Sequence, residues 1–507
     1  MTSDRSGRNG AGVPGDMQQE LRRLASLLTG RMPPDLPQDY LVASGGGTLI
    51  AGTTAPMLMT QFQPTPSGLL VPAALARRPA PFDHVGVFLT GSEILGFPPE
   101  RFAADYPPTW VDEALSKIPL ETVAVFVAEI LRRLHGFDAD QRGVELEFAG
   151  LFLPPATANR IRRLLRADPR RRLLAPQVLM VLLKVACEVA TDAPLGAPPD
   201  RAMASLLLVL SEYVGTDSTQ IRTSPLATPD RPGRLRRAVI ANQIFHANAD
   251  EAHLLGRFHY RWLHSPTSGP SDREVCNLPA LFYEATGVPL GDWITVGFGL
   301  WAHIQSHGPL IHPAAHAQAT GWPLDRLEAV LHLVCADAIT LRMLVTRETA
   351  QLGRDWAFGT FERYPLLRLQ NGMILVLDPG LLLRRFFSWL PLFDLAEGLR
   401  NAGRHRDAAR AEGYMRTLSE RYALSVLATA VDSPAGPRRI YDERTLKNAF
   451  TRGTPGLRIA DAAIDYGDAW VVVEVTTSTL TRRSTAGVSD QDVLNDIDKL
   501  VGKVEQI

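Results

Sequence analysis

The hydrophobic pattern of this chain changes period, and the change divides it into two kinds of structure. Apolar residues recur at helical spacing over Leu120–Leu134, Thr157–Leu165, Leu174–Ala190 and Met203–Val214, and again over Asp250–Trp262 and Pro323–Leu344. Residues three and four apart share one face of a helix, so these segments read as helices with a buried stripe. Towards the C-terminus the period becomes two, over Ile459–Asp465 and Trp470–Thr477, and strands replace helices. The expected fold class is therefore multidomain: a mostly α N-terminal region followed by a C-terminal α/β module.

Punctuation residues set the boundaries. Residues 1–16 are polar and glycine-rich and read as a disordered tail. Residues 17–222 form the N-terminal helical region, with a short helix at Met17–Leu28 and strands near Leu49–Ala51 and Gly68–Pro72. Residues 223–236, containing TSPLATPDRPGR, carry three prolines and no periodicity, which marks a linker. Residues 237–400 form a second helical region with a β-hairpin at 365–378, where Asn371-Gly372 between apolar runs predicts a type I′ turn. The charged segment Arg400–Gly413 opens the module at 401–507. The module reads helix (Tyr414–Ala428), strand (Arg438–Asp442), loop, two strands, loop and helix (Asp490–Ile507). That last helix lacks a C-cap at Ile507, so the module is expected to continue beyond it.

Composition narrows the class. With 45% apolar and 21% charged residues the chain is globular in type. The net charge of −1 supplies no global field for nucleic acid or anionic membrane, so any such binding needs a local patch. The longest apolar runs are interrupted by Lys184 and Glu212, which suits buried helices and no membrane. Three widely separated cysteines and no signal-peptide pattern point to a reducing, cytoplasmic setting.

The period-two stretch ADAAIDYGDAWVVVEVTTS holds two carboxylates that packing does not explain. A tight turn at Gly467-Asp468 sets Tyr466 against Ala469, Ile464 against Val471 and Ala462 against Val473. Asp461 then lands opposite Glu474 on the same face, with Cβ atoms about 5 Å apart. Like charges so close repel unless a cation lies between them. Hard oxygen ligands at this spacing suit Mg²⁺, which takes one or two carboxylates and keeps the rest of its shell for water and phosphate. An edge hairpin with solvated charges is the competing reading.

Around these residues the sequence resembles the restriction-endonuclease-like, or PD-(D/E)XK, nuclease superfamily, over about Tyr414 to Ile507. Ala460-Asp461 resembles the P-D element, and Glu474-Val475-Thr476 resembles E-x-K with threonine in place of lysine. Lys503 and Gln506 resemble the Lys and Gln found on the following helix. The resemblance implies a Mg²⁺ site formed by Asp461, Glu474 and the Val475 carbonyl. It also implies hydrolysis of phosphodiester bonds in nucleic acid, with DNA the expected form and defence against foreign DNA a fitting role. Lys499 and Lys503, four apart on one helical stripe with Gln506 three further on, are the candidates for the missing lysine. The stripe Val493, Ile497, Leu500, Val501 and Val504 is expected to pack on the sheet. The other reading is a non-catalytic interaction protein, in which the helical body binds an unidentified protein partner and the module is vestigial.

Two further clusters stand out. ATANRIRRLLRADPRRRLL concentrates arginines, and Arg160, Arg163, Arg166 and Arg170 are the candidate phosphate contacts. A solvated, salt-bridged helix end competes with that reading. A weaker group, Arg231, Arg234, Arg236 and Arg237, flanks the linker. The pairs His303/His307 and His312/His316 have helical i, i+4 spacing, but their apolar surroundings indicate a packed helix junction rather than a metal site.

Overall fold

The computed structural model describes residues 62–64, 70–72, 88–135, 140–168, 171–196, 200–214, 251–263, 276–431, 439–450, 460–467, 469–475 and 480–504. The expected tail, the Met17–Leu28 helix, the Leu49–Ala51 strand and the linker lie outside them. A short hairpin, β1 (Phe62–Pro64) and β2 (Leu70–Pro72), precedes eight helices. These are α1 (Gly91–Leu95), α2 (Pro99–Asp105), α3 (Pro108–Leu115), α4 (Leu120–Leu134), α5 (Gln141–Phe152), α6 (Pro155–Ala167), α7 (Pro176–Val189) and α8 (Asp200–Tyr213). Helices α2, α3, α6 and α7 begin on proline, whose preset φ and missing N–H suit a first helical position. Helix α7 is buried on nearly all sides, from Gln177 to Cys187, and packs against α4, α8 and α3.

The second set comprises α9 (Glu251–Phe258), which runs into a π-helical turn at His259–Leu263, then α10 (Leu278–Thr286), α11 (Leu290–His307), β3 (Leu310–Ile311), α12 (Pro313–Thr320) and α13 (Leu324–Val334). It continues through β4 (Cys335–Asp337), α14 (Ala338–Leu352), α15 (Gly359–Arg363), β5 (Leu366–Arg368), β6 (Ile374–Val376), α16 (Pro379–Phe387), α17 (Leu390–Asn401) and α18 (His405–Val431). Two expectations need correction here. The segment Pro323–Leu344 is not one helix: β4 interrupts it, pairs in parallel with β5, and Asp337 then caps α14 by accepting from the Thr340 N–H at 2.7 Å. The helix expected from Tyr414 starts at His405 and contains Gly413.

Strands β3, β6, β5 and β4 form one sheet in that order, and it stands between two hydrophobic cores. Alternation decides which residue serves which core. Leu367, Leu369, Leu375 and Leu377 join the core of α1–α8, whereas Leu366, Ile374 and Val376 join the core of α9–α18. The β5–β6 hairpin forms where expected, but its turn is not type I′. Leu369 N–H donates to Met373 O and Gly372 N–H to Leu369 O, and Gly372 alone has φ +81°. That is a three-residue loop whose left-handed residue is glycine. The loop is pinned to α4, because Gln370 N–H donates to buried Glu121 at 2.6 Å.

Among the described residues of this body, Lys184 and Arg385 are buried cations, and both are engaged. Lys184, on α7, donates to the Gly353 and Ala357 carbonyls at 3.0 and 2.7 Å, and burial lowers its pKa. Arg385, on α16, donates to Arg363 O, Leu333 O and the Asp394 carboxylate, and its guanidinium lies over the Trp293 ring. Burial raises the Asp394 carboxyl even so, against the pull of Arg385.

The C-terminal module adds β7 (Arg439–Asp442), α19 (Glu443–Phe450), β8 (Ala462–Asp465), β9 (Trp470–Val473), α20 (Arg482–Thr485) and α21 (Asp490–Val504). Its sheet has the order β7-β8-β9, antiparallel throughout. Helix α19 occupies part of what reads as a loop in the sequence, and Asp442 caps it through the Thr445 N–H at 2.8 Å. Among the described residues no helix is long and apolar enough to cross a membrane.

Replacing Arg385 by leucine strands the part-buried Asp394 charge and two carbonyls. The unfolding free energy measured by urea denaturation is expected to fall by about 3–5 kcal/mol, and Arg385→Lys, which cannot fork to three acceptors, should recover only part of it.

Candidate active site

The hairpin of β8 and β9 has the register that its sequence predicts. Ala462 pairs with Val473, Ala463 with Val472, Ile464 with Val471 and Asp465 with Trp470. Tyr466 N–H donates to Ala469 O, and Gly467 takes φ +95° at the turn. Asp468 lies outside the described residues. Asp461 directly precedes β8 and Glu474 directly follows β9, so the two carboxylates occupy the next register position on one face. Asp461 Oδ2 accepts from the Val475 N–H at 2.7 Å, which ties the start of β8 to the exit of β9. Asp461, Glu474 and Val475 are thus brought together. Glu474 is exposed and has no hydrogen-bond partner among the described residues.

The opposite ends of these strands explain the geometry. Ala462, Ala463 and Ile464 are buried, so β8 is the central strand, while Trp470, Val471 and Val472 are about half exposed on the outer strand β9. Tyr441 of β7 pairs with Ala463, which pairs with Val472, so all three share the face of Asp461 and Glu474. Because Ala463 is small, the Tyr441 and Trp470 rings close over β8 and stack, with centroids 5.2 Å apart and planes 6° from parallel. The Tyr441 hydroxyl donates to Asp465 Oδ2 at 3.5 Å, and Arg439, in register with Asp465, has its pKa held above the ordinary value first by the neighbouring Tyr441 hydroxyl.

One carboxylate near the hairpin has no signal in the sequence. Glu420, on α18, is half-buried, and its pKa is raised, first by burial and then by Asp461, Glu443 and Glu474. Only the docking of α18 beside the sheet places it there, so no local spacing could reveal it. Among the described residues, no three or more His, Cys, Asp or Glu side chains converge in a geometry that holds a metal ion.

The other candidates fall elsewhere. Lys499 Nζ pairs with Asp496 Oδ1 at 3.2 Å and its side chain is 68% exposed. Asp496 is buried, accepts from Ser484 Oγ and the Thr481 N–H, and is held far below the usual carboxylate range by those bonds. It fastens α21 to α20. The apolar stripe of α21 is accordingly only partly covered: Val493 is buried, but Val501 is 47% exposed. Thr476, Gln506 and the Lys503 side chain lie outside the described residues.

In the basic run Arg160 donates to Glu93 O, Arg171 pairs with the Glu93 carboxylate, and Arg162 bonds Asn159. These are structural contacts around α1 and α6. Arg163 and Arg166 are exposed on α6 and have no ion-pair partner among the described residues. Arg170 and the arginines beside the linker lie outside the described residues. The histidines do form a helix junction. His303 contacts Leu310 O, stacks on His307 and meets His316 edge-on, while His312 caps α12. Burial pushes the His316 pKa down to about 4. Comparisons with family models, curated proteins and solved structures found no match to this chain.

The raised Glu420 carboxyl fixes the sign of a pH effect. Its ionised form is disfavoured in the folded state, so stability present below the unfolded pKa of about 4.3 is lost as pH rises through the folded value. Glu420→Gln is expected to raise the thermal midpoint at pH 7, and the gain should vanish at pH 4.

Proposed function

We propose that the C-terminal module is a Mg²⁺-dependent nuclease centre acting on nucleic acid, with Asp461 and Glu474 as its metal ligands. The observation that carries this reading is the shared register position of the two carboxylates at the entry of β8 and the exit of β9. There the Val475 amide holds Asp461, and Glu474 has no hydrogen-bond partner among the described residues. The order α18–β7–β8–β9–α21 supports it as well. A helix, antiparallel strands bearing Asp then Glu, and a further helix are what the restriction-endonuclease-like resemblance implies, with α19 an addition. Asp461 is oriented by the Val475 amide, and the Val475 carbonyl is the third oxygen that the resemblance assigns to the ion. When bound, the ion would polarise a phosphate and make water a better nucleophile at neutral pH. The chain's own carboxylates position it, and Glu420 adds negative charge that favours a cation at this end of the sheet. Arg163 and Arg166 are the residues of the basic run left available for phosphate.

A second reading is favoured by two observations: threonine stands at 476, and Lys499 is engaged by Asp496. On that reading the module is a non-catalytic binding fold and the helical body meets a protein partner.

Cleavage of plasmid and single-stranded DNA by the full chain, with and without Mg²⁺ or Mn²⁺, decides between them. Glu474→Ala and Asp461→Asn should reduce metal-dependent cleavage to background while leaving the circular-dichroism spectrum unchanged. Mg²⁺ should raise the thermal midpoint of the wild type but not of Asp461→Asn. Thr476→Lys should preserve or increase cleavage if the centre is active. Wild-type cleavage by Glu474→Ala would remove the assignment.

Reversing charge at Arg163 and Arg166 tests the basic face separately. Affinity for nucleic acid should fall most at low salt, with the salt slope reduced by about one unit for each phosphate that is no longer neutralised. An unchanged salt series would leave these arginines as solvated surface.

A further inference from the structure

We infer that the Tyr441–Trp470 stack is a platform for an unpaired base, and that the nucleic acid taken by this module is single-stranded. The inference rests on the nuclease reading for its substrate class and specifies the strand form. Trp470, Val472 and Glu474 follow one another on the same face of β9, so the backbone positions of Trp470 and Glu474 are about 13 Å apart along the strand. That separation lets one strand lie along β9 with a base on the indole while a phosphate reaches the carboxylates. The ring is 49% exposed although it belongs to a large apolar side chain, and Val472 beside it is 52% exposed. Packing by Tyr441 holds the indole in one orientation, with planes 6° from parallel. A ring already fixed loses little rotamer freedom when a base stacks on it.

Arg439 shares this face at the Trp470 end, in register with Asp465, whose carboxylate accepts from the Tyr441 hydroxyl, so a cation and an anion both flank the rings. Asp461 and Glu474 lie at the other end, where a cation would mediate contact. Bases inside a duplex present no free π-face to such a platform, whereas every unpaired base does. Stacking on an aromatic side chain contributes enough to dominate strand choice without reading sequence.

The test is fluorescence anisotropy with the full chain at low salt in EDTA, so that cleavage plays no part. The probes are a labelled DNA strand of about 12 nucleotides, its annealed duplex, and the RNA strand of the same sequence. The unpaired strands, as DNA, RNA or both, should bind more tightly than the duplex. Trp470→Ala should weaken single-strand binding about tenfold and duplex binding little, and Trp470→Phe should retain most of the affinity. Tighter or equal binding of the duplex, or the same loss for both forms in Trp470→Ala, would overturn the proposal. Should Trp470→Ala fail to fold, the wild-type strand preference and the Trp470→Phe affinity decide it. Cleavage is read separately. A protein that prefers single strands through Trp470 but cuts nothing keeps the platform and loses the nuclease reading. One that cuts through Glu474 without strand preference does the reverse.

Discussion

The body of this protein depends on one sheet with no free face. Strands β5 and β6 send alternate side chains into two hydrophobic cores, and neither core is closed without them. A buried sheet of this kind tolerates no slip of register, because a shift of one residue would exchange the sets facing each side. The anchors follow from that demand. Glu121 holds the hairpin loop from α4, and β4 adds a parallel partner after interrupting a helix. Apolar residues on both faces leave the backbone bonds of the ladder dry, so the strands are short yet rigid.

Charges in the body and in the module are treated differently, and the contrast gives the candidate site its meaning. Lys184, Arg385 and Glu145 are buried, and each is matched by carbonyls, amides or an opposite charge. In α20–α21 Asp496 is satisfied by a hydroxyl, an amide and a lysine. At the open end of β8 and β9 the balance fails. Negative groups from α18, the β8 entry and the β9 exit lie within electrostatic reach, and burial makes one of them harder to ionise. Of this cluster Asp461 is held by the Val475 amide, while Glu474 stands exposed with no hydrogen-bond partner among the described residues.

Much of the hairpin was legible in the sequence because two local signals agreed. Period-two alternation and a glycine at the turn fix the pairing of Asp461 with Glu474 without reference to the rest of the chain. The 365–378 hairpin was legible in position but not in turn type, since Asn371-Gly372 is compatible with a loop in which glycine alone is left-handed. The strand at Cys335–Asp337 was hidden inside a helical period and is stabilised by β5, some thirty residues on. The division of the arginine run into Glu93-bound and unpaired members depends on where α1 docks. Glu420 was illegible for the same reason, because a helix carries no mark of the sheet edge that it will border. The α21 stripe misled: its period is real, but Asp496 turns the helix towards α20 and leaves Val501 at the surface.

The shared sheet also governs how this chain can be divided. The segment rich in proline at 223–236 invites a cut into two helical domains, yet the first core is completed by Ala336, Leu367, Leu375 and other residues from far beyond that point. A fragment ending before the linker would carry an open wall of leucine and valine, and would collect as aggregate or recruit its missing half. A backbone nick in the same segment is a different matter. The two pieces would remain joined through the sheet, as a complemented pair whose reassembly reports on β5 and β6.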